Sequence, residues 1–358
     1  MSIEERRRLI GELEAARSSR VISYVLSDRE TFPAQIPGFN PPMTLVHPYV
    51  RDLLREIGSV DRLDLFLYTR GGAIESVWPL VGVLRQHCKT LTVLVPSRAH
   101  SAGTLVCLGA DEVIMGDSGE LSPIDPTTGN QFNPRDPANP ASQLGISVED
   151  VAAYFDLARD LAGVRYEDHK VEVLKLLVGS VHPLALGNVQ RVYLLIRRLA
   201  RELLNLHSKL SDEERQRAVE GLTTRFYTHL HSISRREAQE LLGKMIAAPN
   251  ATVSAAMDNL FYAYVADMSM LDRYDLPLVM GNQPQVTALV CGGLLESRVK
   301  TYANKTDLHI AQRPSLPPGV QVQLPPGGTL PLEPWVGRMY DWGIQSTGWN
   351  AEPEEGQG

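Results

Sequence analysis

A regular alternation of apolar runs and helical patterns between residues 63 and 115 constrains the fold most. The runs LDLFLY at 63–68, LTVLVP at 91–96 and EVIM at 112–115 are predicted strands, apolar on both faces apart from Asp64. Strands of this kind belong inside a parallel sheet. Residues 74–87 and 102–108 have the pattern of helices. Strands and helices that alternate over short loops form βαβ units, so an α/β fold is predicted.

Further elements flank this alternation. Helices are predicted at residues 1–19, 46–57, 148–161, 186–207 and 235–242, and a strand at 21–26. Residues 32–42 and 125–147 are predicted loops, rich in proline or in Pro, Asn and Gly. After residue 250 comes helical sequence up to 274, a strand pair at 287–290 and 308–311, and a proline-rich stretch at 314–334. We therefore divide the chain into 1–39, a core domain at 40–250 and a C-terminal extension at 251–358.

Composition narrows the functional classes. The chain has 358 residues, 43% of them hydrophobic, which excludes disorder of the whole chain. The net charge of −7 gives no electrostatic basis for binding nucleic acid. The longest apolar run, at 286–295, is too short for a membrane span, and the charged N-terminus has no apolar leader. The three cysteines are widely spaced, so we expect a cytoplasmic protein without disulfides, zinc or another cofactor.

Two motifs at strand–helix junctions could carry chemistry. Gly71 and Gly72 follow the strand at 63–68, where their N–H groups could stabilise a developing negative charge. The alternative is a plain turn. Ser101 follows the strand at 91–96 and opens the helix at 102–108, as in a nucleophile elbow, although G-x-S-x-G is not matched. The alternative is a serine that caps the helix N-terminus.

A third motif, GELSPIDP at 119–126, follows the strand at 112–115. It is predicted to be a proline-braced turn, and its rigidity could form a wall of a cleft beside Ser101. Each of the three motifs is weak alone, but their order and spacing are specific. Together, LFLYTRGG, VPSRAHSAGTL, GADEVIMG and GELSPIDP resemble the Clp protease, signal peptide peptidase and crotonase superfamily. Within it the chain is similar to the serine dehydrogenase proteinase family, over roughly residues 5–250 and most strongly over 63–126.

The resemblance implies a fold and a set of roles. The fold would be the ββα superhelix of Clp proteases and crotonases, with a parallel sheet, and the substrate would be a peptide or protein. Ser101 matches the nucleophile, Gly71 and Gly72 match the glycine pair of the oxyanion hole, and the N–H of Ala102 would be the second donor. Residues 226–242 resemble the segment in which Clp-type enzymes place the acid of their triad. Relatives assemble into rings or stacked trimers, so a homo-oligomer is implied.

The sequence does not identify which residue acts as the general base. Clp-type enzymes place a His where Ile124 stands, and signal-peptide-peptidase-like relatives place a Lys where Arg197 stands. Arginine stays protonated at working pH, so it cannot act as the base. His182, before the long helix, and Lys175, in an apolar run that could lower its pKa, are the candidates. Other candidates are His100, Asp125, His229 and His231. Each also has an ordinary structural interpretation, such as a loop residue or an exposed helical lysine.

Two functional hypotheses follow. The first is a serine peptidase that uses Ser101 and backbone amides. The second is a catalytically silent Clp-like scaffold or peptide-binding module, favoured by the missing base. A crotonase-type acyl-CoA enzyme is a weaker third, because crotonases use backbone amides without the serine nucleophile.

Overall fold

The computed structural model describes residues 2–124, 127–137, 142–165, 167–207, 209–226, 228–315 and 337–353. The helices are α1 Ile3–Arg17, α2 His47–Ile57, α3 Val77–Arg85, α4 Ala102–Leu108, α5 Val148–Asp160, α6 Glu167–Ser180, α7 Pro183–Leu204, α8 Asp212–Thr224, α9 Arg235–Leu242, α10 Ala251–Asp267 and α11 Leu276–Met280. Short 3₁₀ helices lie at Ile74–Ser76 and Gly243–Met245.

The longer strands are β1 Arg20–Leu26, β3 Val60–Tyr68, β4 Cys88–Val95, β6 Glu112–Met115, β13 Gln285–Glu296, β14 Thr301–Ser315 and β15 Gly337–Ala351. The two-residue strands are β2 Thr31–Phe32, β5 Arg98–Ala99, β7 Glu120–Leu121, β8 Thr127–Thr128, β9 Ile146–Ser147, β10 Ile233–Ser234, β11 Ile246–Ala247 and β12 Tyr274–Asp275.

Eight strands form one mixed sheet in the order β11-β6-β4-β3-β1-β13-β14-β15. The first five are parallel to one another, with Leu65 opposite Val93 on one side and Ile22 on the other. The last three continue the sheet in antiparallel pairing. The predicted α/β fold of the Clp/crotonase type is therefore confirmed, with a sheet that is mixed rather than wholly parallel.

Helices cover both faces of this sheet. On β3, Leu63, Leu65 and Leu67 pack into one buried cluster with α2, α3, α4 and α7, whereas Phe66 and Tyr68 pack into a second cluster with α1 and α10. This alternation follows from the two-residue period of a strand. Asp64, expected to be the exception to burial, is fully buried, because Arg17 Nε and Ser19 Oγ each donate to its carboxylate at 2.8 Å.

A second, three-stranded sheet in the order β10-β7-β5 lies at the end of β3 and β4. The N–H of Thr69 donates to the Arg98 carbonyl and the N–H of His100 donates to the Thr69 carbonyl, both at 3.0 Å. These bonds connect β5 to the end of β3. The small sheet thereby brings the segments at 69–72, 98–101 and 120–122 together.

Most predicted elements between residues 1 and 274 agree with the structure within a few residues. The predicted strand pair is part of β13 and β14, which are longer than expected. The prediction missed α6, α8 and β15, and the predicted loop at 125–147 contains the β8–β9 pair in its described part. The three-part domain division stays a prediction. No helix in the described part of the chain is both long enough and apolar enough to cross a bilayer.

A buried ion-pair cluster joins the N-terminal helix to the C-terminal part of the chain. The Arg6 guanidinium on α1 donates to both carboxylate oxygens of Glu296 at 2.8 and 2.9 Å, and to Asp267 Oδ2 at 2.7 Å. The Arg6 side chain is 3% exposed and that of Glu296 is fully buried. Thr301 Oγ1 donates a further hydrogen bond to Glu296. The cluster fixes α1, α10 and β13 relative to one another.

Arg6→Met is expected to lower the free energy of unfolding by about 3–5 kcal/mol, because it leaves the Glu296 carboxylate buried without its cation. Arg8→Met is the matched control on the same helix: Arg8 pairs with Glu5 and Glu12 at the surface, and its loss should cost less than about 1 kcal/mol. Urea unfolding followed by circular dichroism measures both values. Equal values for the two variants would contradict a structural role for the buried pair.

Candidate active site

The candidate nucleophile occupies a strained backbone position. Ser101 immediately precedes α4 and has φ 51° and ψ −108°. A positive φ of this kind costs a residue with a side chain about 1–3 kcal/mol and persists only where its surroundings impose it. The hydroxyl of Ser101 makes no capping bond to α4, whereas Ser2, Ser147, Ser211 and Ser234 all cap their helices. The structure therefore argues against a helix-capping role for Ser101.

The side chains of Thr104 and Ser122 brace the Ser101 turn through hydrogen bonds. The N–H of Ser101 donates to Ser122 Oγ at 2.8 Å. Thr104 Oγ1 lies 2.8 Å from the Ala99 carbonyl and 3.0 Å from the Ser122 carbonyl, and it accepts from the Ser122 N–H at 3.0 Å. Thr104 and Ser122 are both buried. Sequence reasoning placed both residues within motifs but gave neither of them this bracing role.

The glycine pair lies directly against this turn. Gly71 has φ 101°, and a Cβ built on it would stand 2.8 Å from Ser101 Cβ and 2.9 Å from the His100 carbonyl oxygen. Only a residue without a side chain fits here. The Gly71 N–H donates to Thr69 Oγ1 at 3.0 Å, and its carbonyl accepts from the Met43 N–H at 2.8 Å. Both backbone groups of Gly71 are thus engaged within the protein.

Gly72 and Ala102 differ from Gly71 in this respect. The Gly72 N–H and the Ala102 N–H donate to no group in the part of the chain that the structure describes. Ala102 is the first residue of α4, where backbone N–H groups have no partner inside the helix. Two unengaged amides therefore belong to segments that meet at Ser101.

A polar cluster extends from His100 away from the glycine pair. His100 Nε2 lies 3.0 Å from Glu120 Oε1, and Arg98 pairs with Asp28 at 2.7 Å. Tyr68 donates its hydroxyl proton to the same Asp28 carboxylate at 2.8 Å. Burial lowers the pKa of the His100 imidazole, with Arg98 and His229 acting in the same direction and Glu120 against them. His100 is therefore mostly neutral near pH 7.

The two leading base candidates lie elsewhere. His182 is the N-cap of α7, where its Nδ1 accepts from the Leu184 N–H at 3.2 Å and its ring stacks on Phe132 at 4.7 Å. Lys175 lies on α6 with 66% of its side chain exposed, and it pairs with Glu172 at 2.7 Å. The apolar run around Lys175 in the sequence does not bury its ammonium, because Val171, Leu174, Leu176 and Val178 are themselves exposed along α6. None of these contacts reaches Ser101.

The remaining candidates divide by position. Arg197 donates to Tyr193 Oη at 2.5 Å and to Thr223 Oγ1 at 3.3 Å. His231 Nε2 lies 3.0 Å from Glu237 Oε1, and the ring stacks on Phe226. His229 contributes to lowering the pKa of the His100 imidazole. Asp125 and Pro126 of the third motif lie outside the described residues.

The described part of the chain shows no hydrogen bond between a base and the nucleophile. Among the described residues, none hydrogen-bonds to Ser101 Oγ. No three His, Cys, Asp or Glu side chains within the described ranges come close enough to hold one metal ion. The chemistry that this arrangement can support is therefore nucleophilic attack by a serine at a position flanked by free amides.

An open cavity of about 530 Å³ lies at the glycine pair. Its walls are the chain segments at 27–30, 35–42 and 70–72, including Arg70, Gly71 and Gly72. The loop at 35–42 is held in place through Met43, whose carbonyl accepts from the Ala73 N–H at 2.9 Å. A substrate in this cavity would lie beside the Ser101 turn.

Comparison with known families agrees with this geometry. Residues 1–137 match the sequence model of the ClpP-like SDH-type serine proteinases. The match covers the first 137 of the chain's 358 residues. All three motifs, and with them Ser101 and the glycine pair, fall inside the matched residues. The predicted resemblance is confirmed over these residues, and the match supports a serine peptidase of the ClpP-like class.

Individual relatives are more distant. An uncharacterized protein of Methanocaldococcus jannaschii is 25% identical over 240 residues, which cover 66% of this chain and 71% of that protein. A second from the same organism is 30% identical over 130 residues, 36% of this chain and less than half (44%) of that protein. Two structures of a membrane-bound stomatin-specific protease are similar at 13% and 14% identity, covering 57% of this chain and 68% and 72% of theirs. Their TM-scores are 0.33 and 0.32.

Gly71→Ala is expected to destabilise the protein through a steric clash in addition to strain. Gly58 is the matched control, since it also has a positive φ, of 76°, but a Cβ there would meet nothing within 4 Å. Gly58→Ala should cost about 1–2 kcal/mol from backbone strain alone. Gly71→Ala should cost about 1–3 kcal/mol more, from overpacking against Ser101. Urea unfolding measures the difference, and equal costs would contradict the close approach of the two segments.

Proposed function

We propose that this ClpP-like enzyme cleaves peptide bonds with Ser101 Oγ as the nucleophile and the amides of Gly72 and Ala102 as the oxyanion hole. The observation that carries the proposal is the positive φ of Ser101 beside two amides that donate to none of the described residues. Strain at a functional turn is typical of nucleophile elbows. Gly71, the other member of the pair, acts by its small size, because its N–H is engaged by Thr69.

The mechanism follows from these positions. Ser101 Oγ attacks the carbonyl carbon of the scissile peptide bond while its proton passes to a base. The carbonyl oxygen becomes negatively charged, and the Gly72 and Ala102 N–H groups donate to it. Expulsion of the amine, which takes up the proton, leaves an acyl ester on Ser101. Water, deprotonated by the same base, then hydrolyses this ester and restores the serine.

For the base we favour His229 over His182 and Lys175. Its support is electrostatic proximity to His100, the residue before the nucleophile. The chain after His229 enters β10, which pairs with β7 so that Ser234 lies opposite Glu120. This pairing brings the segment at 228–234 beside the polar cluster. His182 and Lys175 have solvent-facing partners on α7 and α6.

The substrate, the assembly and the location are also proposals. We infer a peptide or protein substrate from the family, and a homo-oligomer whose interface includes exposed apolar side chains of α5 and α6. These are Leu157, Leu161, Val171, Leu174, Leu176 and Val178, exposed by 37–82%. Large apolar side chains left exposed in such numbers support an interaction surface. Cysteine usage and acidic charge support a cytoplasmic protein that does not bind nucleic acid.

Ser101→Ala should abolish covalent labelling by a fluorophosphonate probe and lower peptide cleavage by at least about a thousandfold, because the nucleophile is removed. Ser147→Ala is the matched control: Ser147 also precedes a helix, but its hydroxyl caps that helix. This control should label as wild type does. Gel fluorescence and mass spectrometry of a peptide mixture provide the two measurements.

The same assay tests the base and the alternative function. His229→Gln should slow cleavage by about 10²–10⁴-fold, whereas His182→Gln should leave it nearly unchanged. The reverse order would exclude His229 as the base. Correctly folded wild-type protein that neither labels nor cleaves would exclude the peptidase and favour the silent scaffold. The silent scaffold stays an alternative because no described residue hydrogen-bonds to Ser101 Oγ.

Wild-type protein should have a mass in solution several times that of one chain, measured by light scattering after gel filtration. Replacing Leu161 and Leu176, 82% and 71% exposed, by Glu should shift it toward the monomer, because charges are costly in an apolar interface. Leu278→Glu, at a residue 81% exposed elsewhere on the surface, should leave the mass unchanged. A monomeric wild-type protein would contradict the proposed assembly.

A further inference from the structure

A second cavity, of about 580 Å³, lies between the loop at 35–42 and the C-terminal strands β14 and β15. Its lining is mainly apolar and includes Leu26, Ile36, Pro37, Pro41, Ile344 and Trp349. Ligand pockets in proteins are typically concave, apolar and of this size, with a few polar groups. Strands β14 and β15 lie outside residues 1–137, so one wall of this cavity comes from the part of the chain beyond the family match, and the other wall comes from within it.

The cavity adjoins the candidate active site across the loop at 35–42. Four residues, Gln35, Asn40, Pro41 and Pro42, line both this cavity and the one at Gly71 and Gly72. The next residue, Met43, is bridged to Gly72 through backbone hydrogen bonds. A ligand that reaches the oxyanion amides and extends past this loop would therefore enter the second cavity.

The loop between the cavities is packed tightly on the C-terminal strands. Gly38 has φ 100°, and a Cβ there would lie 2.8 Å from the side chain of Thr306 on β14. A Cβ on Gly292 of β13 would lie 2.4 Å from the Gly38 carbonyl oxygen. The loop thus keeps a fixed position between the nucleophile and β14–β15. The second cavity is therefore part of the structure and need not be formed by a moving lid.

Two residues of this lining each carry a buried polar atom without a partner among the described residues. Asn304 Oδ1 and Trp349 Nε1 are buried, and neither has a hydrogen-bond partner within the described part of the chain. The two residues are directly opposite each other on β14 and β15. One atom is an acceptor and the other a donor. A peptide unit offers the complementary donor and acceptor, which a hydrocarbon ligand does not.

We propose that this cavity is a specificity subsite that binds an apolar side chain of the peptide substrate near the scissile bond. The proposal rests on the peptidase function proposed above. Apolar walls supply the preference for the side chain, and the unpaired atoms of Asn304 and Trp349 match the backbone that carries it. The C-terminal strands thereby contribute to substrate selection, although they lie outside the segments that carry the nucleophile and the oxyanion amides.

Gly348→Leu tests the subsite. Gly348 lines the cavity, its φ is not in the left-handed region, and a Cβ there would meet nothing within 4 Å, so a leucine can be added without strain. Gly343→Leu is the matched control on the same strand: its Cβ also meets nothing within 4 Å, but it does not line the cavity. Each variant is incubated with a defined mixture of decapeptides, and cleavage positions are read by mass spectrometry. Fluorophosphonate labelling of Ser101 is measured in parallel.

Wild type is expected to prefer a large apolar residue at one fixed position relative to the cut. In Gly348→Leu the ratio of that cleavage to labelling should fall about tenfold or more, with small residues preferred instead. Gly343→Leu should keep the wild-type profile. If Gly348→Leu does not fold, a second pair of variants replaces it. Ile344→Glu changes a residue that lines the cavity and is 46% exposed. Its control, Met339→Glu, changes a residue that is 56% exposed and does not line the cavity.

The outcomes separate the two proposals. An unchanged profile in Gly348→Leu or Ile344→Glu would overturn the subsite and leave the peptidase function intact. A change of equal size in Gly348→Leu and Gly343→Leu would also overturn the subsite, since the effect would then not be local. A wild-type protein that neither labels nor cleaves would overturn the peptidase function and the subsite together.

Discussion

The backbone conformation of Ser101 is the constraint on which the candidate site depends. A residue with a side chain adopts φ 51° and ψ −108° only where other bonds outweigh the strain. Here the Ser122 hydroxyl accepts from the Ser101 N–H, and Thr104 connects the Ala99 and Ser122 carbonyls beneath the turn. The strained turn lifts the serine hydroxyl out of the capping position. The N–H of Ala102 donates to no group among the residues that the structure describes.

This constraint explains why three short segments must converge. Gly71 has to be a glycine because Ser101 Cβ and the His100 carbonyl occupy the space of its side chain. Thr69 fixes the glycine segment by accepting the Gly71 N–H, and the small sheet β10-β7-β5 holds 98–101 beside 120–122. None of these segments is long enough to fold alone. They are ordered because the large sheet supplies the ends of β3, β4 and β6 at fixed spacing.

Sequence predicted the parts of the molecule that depend on local pattern. The buried strands at 63–68 and 91–96 were identifiable because both faces are apolar, and the motif order indicated the family. The pattern could not show that Thr104 and Ser122 brace the turn, because their hydrogen bonds join residues up to 21 positions apart. Nor could it distinguish Gly71 from Gly72. The difference lies in which N–H meets the Thr69 hydroxyl.

Lys175 and the C-terminal strands are two further cases in which contacts between distant parts of the chain decide the structure. An apolar run suggested a buried ammonium at Lys175, but burial depends on what packs against the helix, and α6 leaves its apolar side chains exposed. The sequence after residue 337 contains no recognisable motif, yet β15 pairs along its length with β14 and extends the main sheet. The Gly38 and Thr306 contact then places the wall of a cavity beside the glycine pair. A segment without a recognisable motif therefore forms one wall of a cavity that shares the loop at 35–42 with the cavity at the glycine pair.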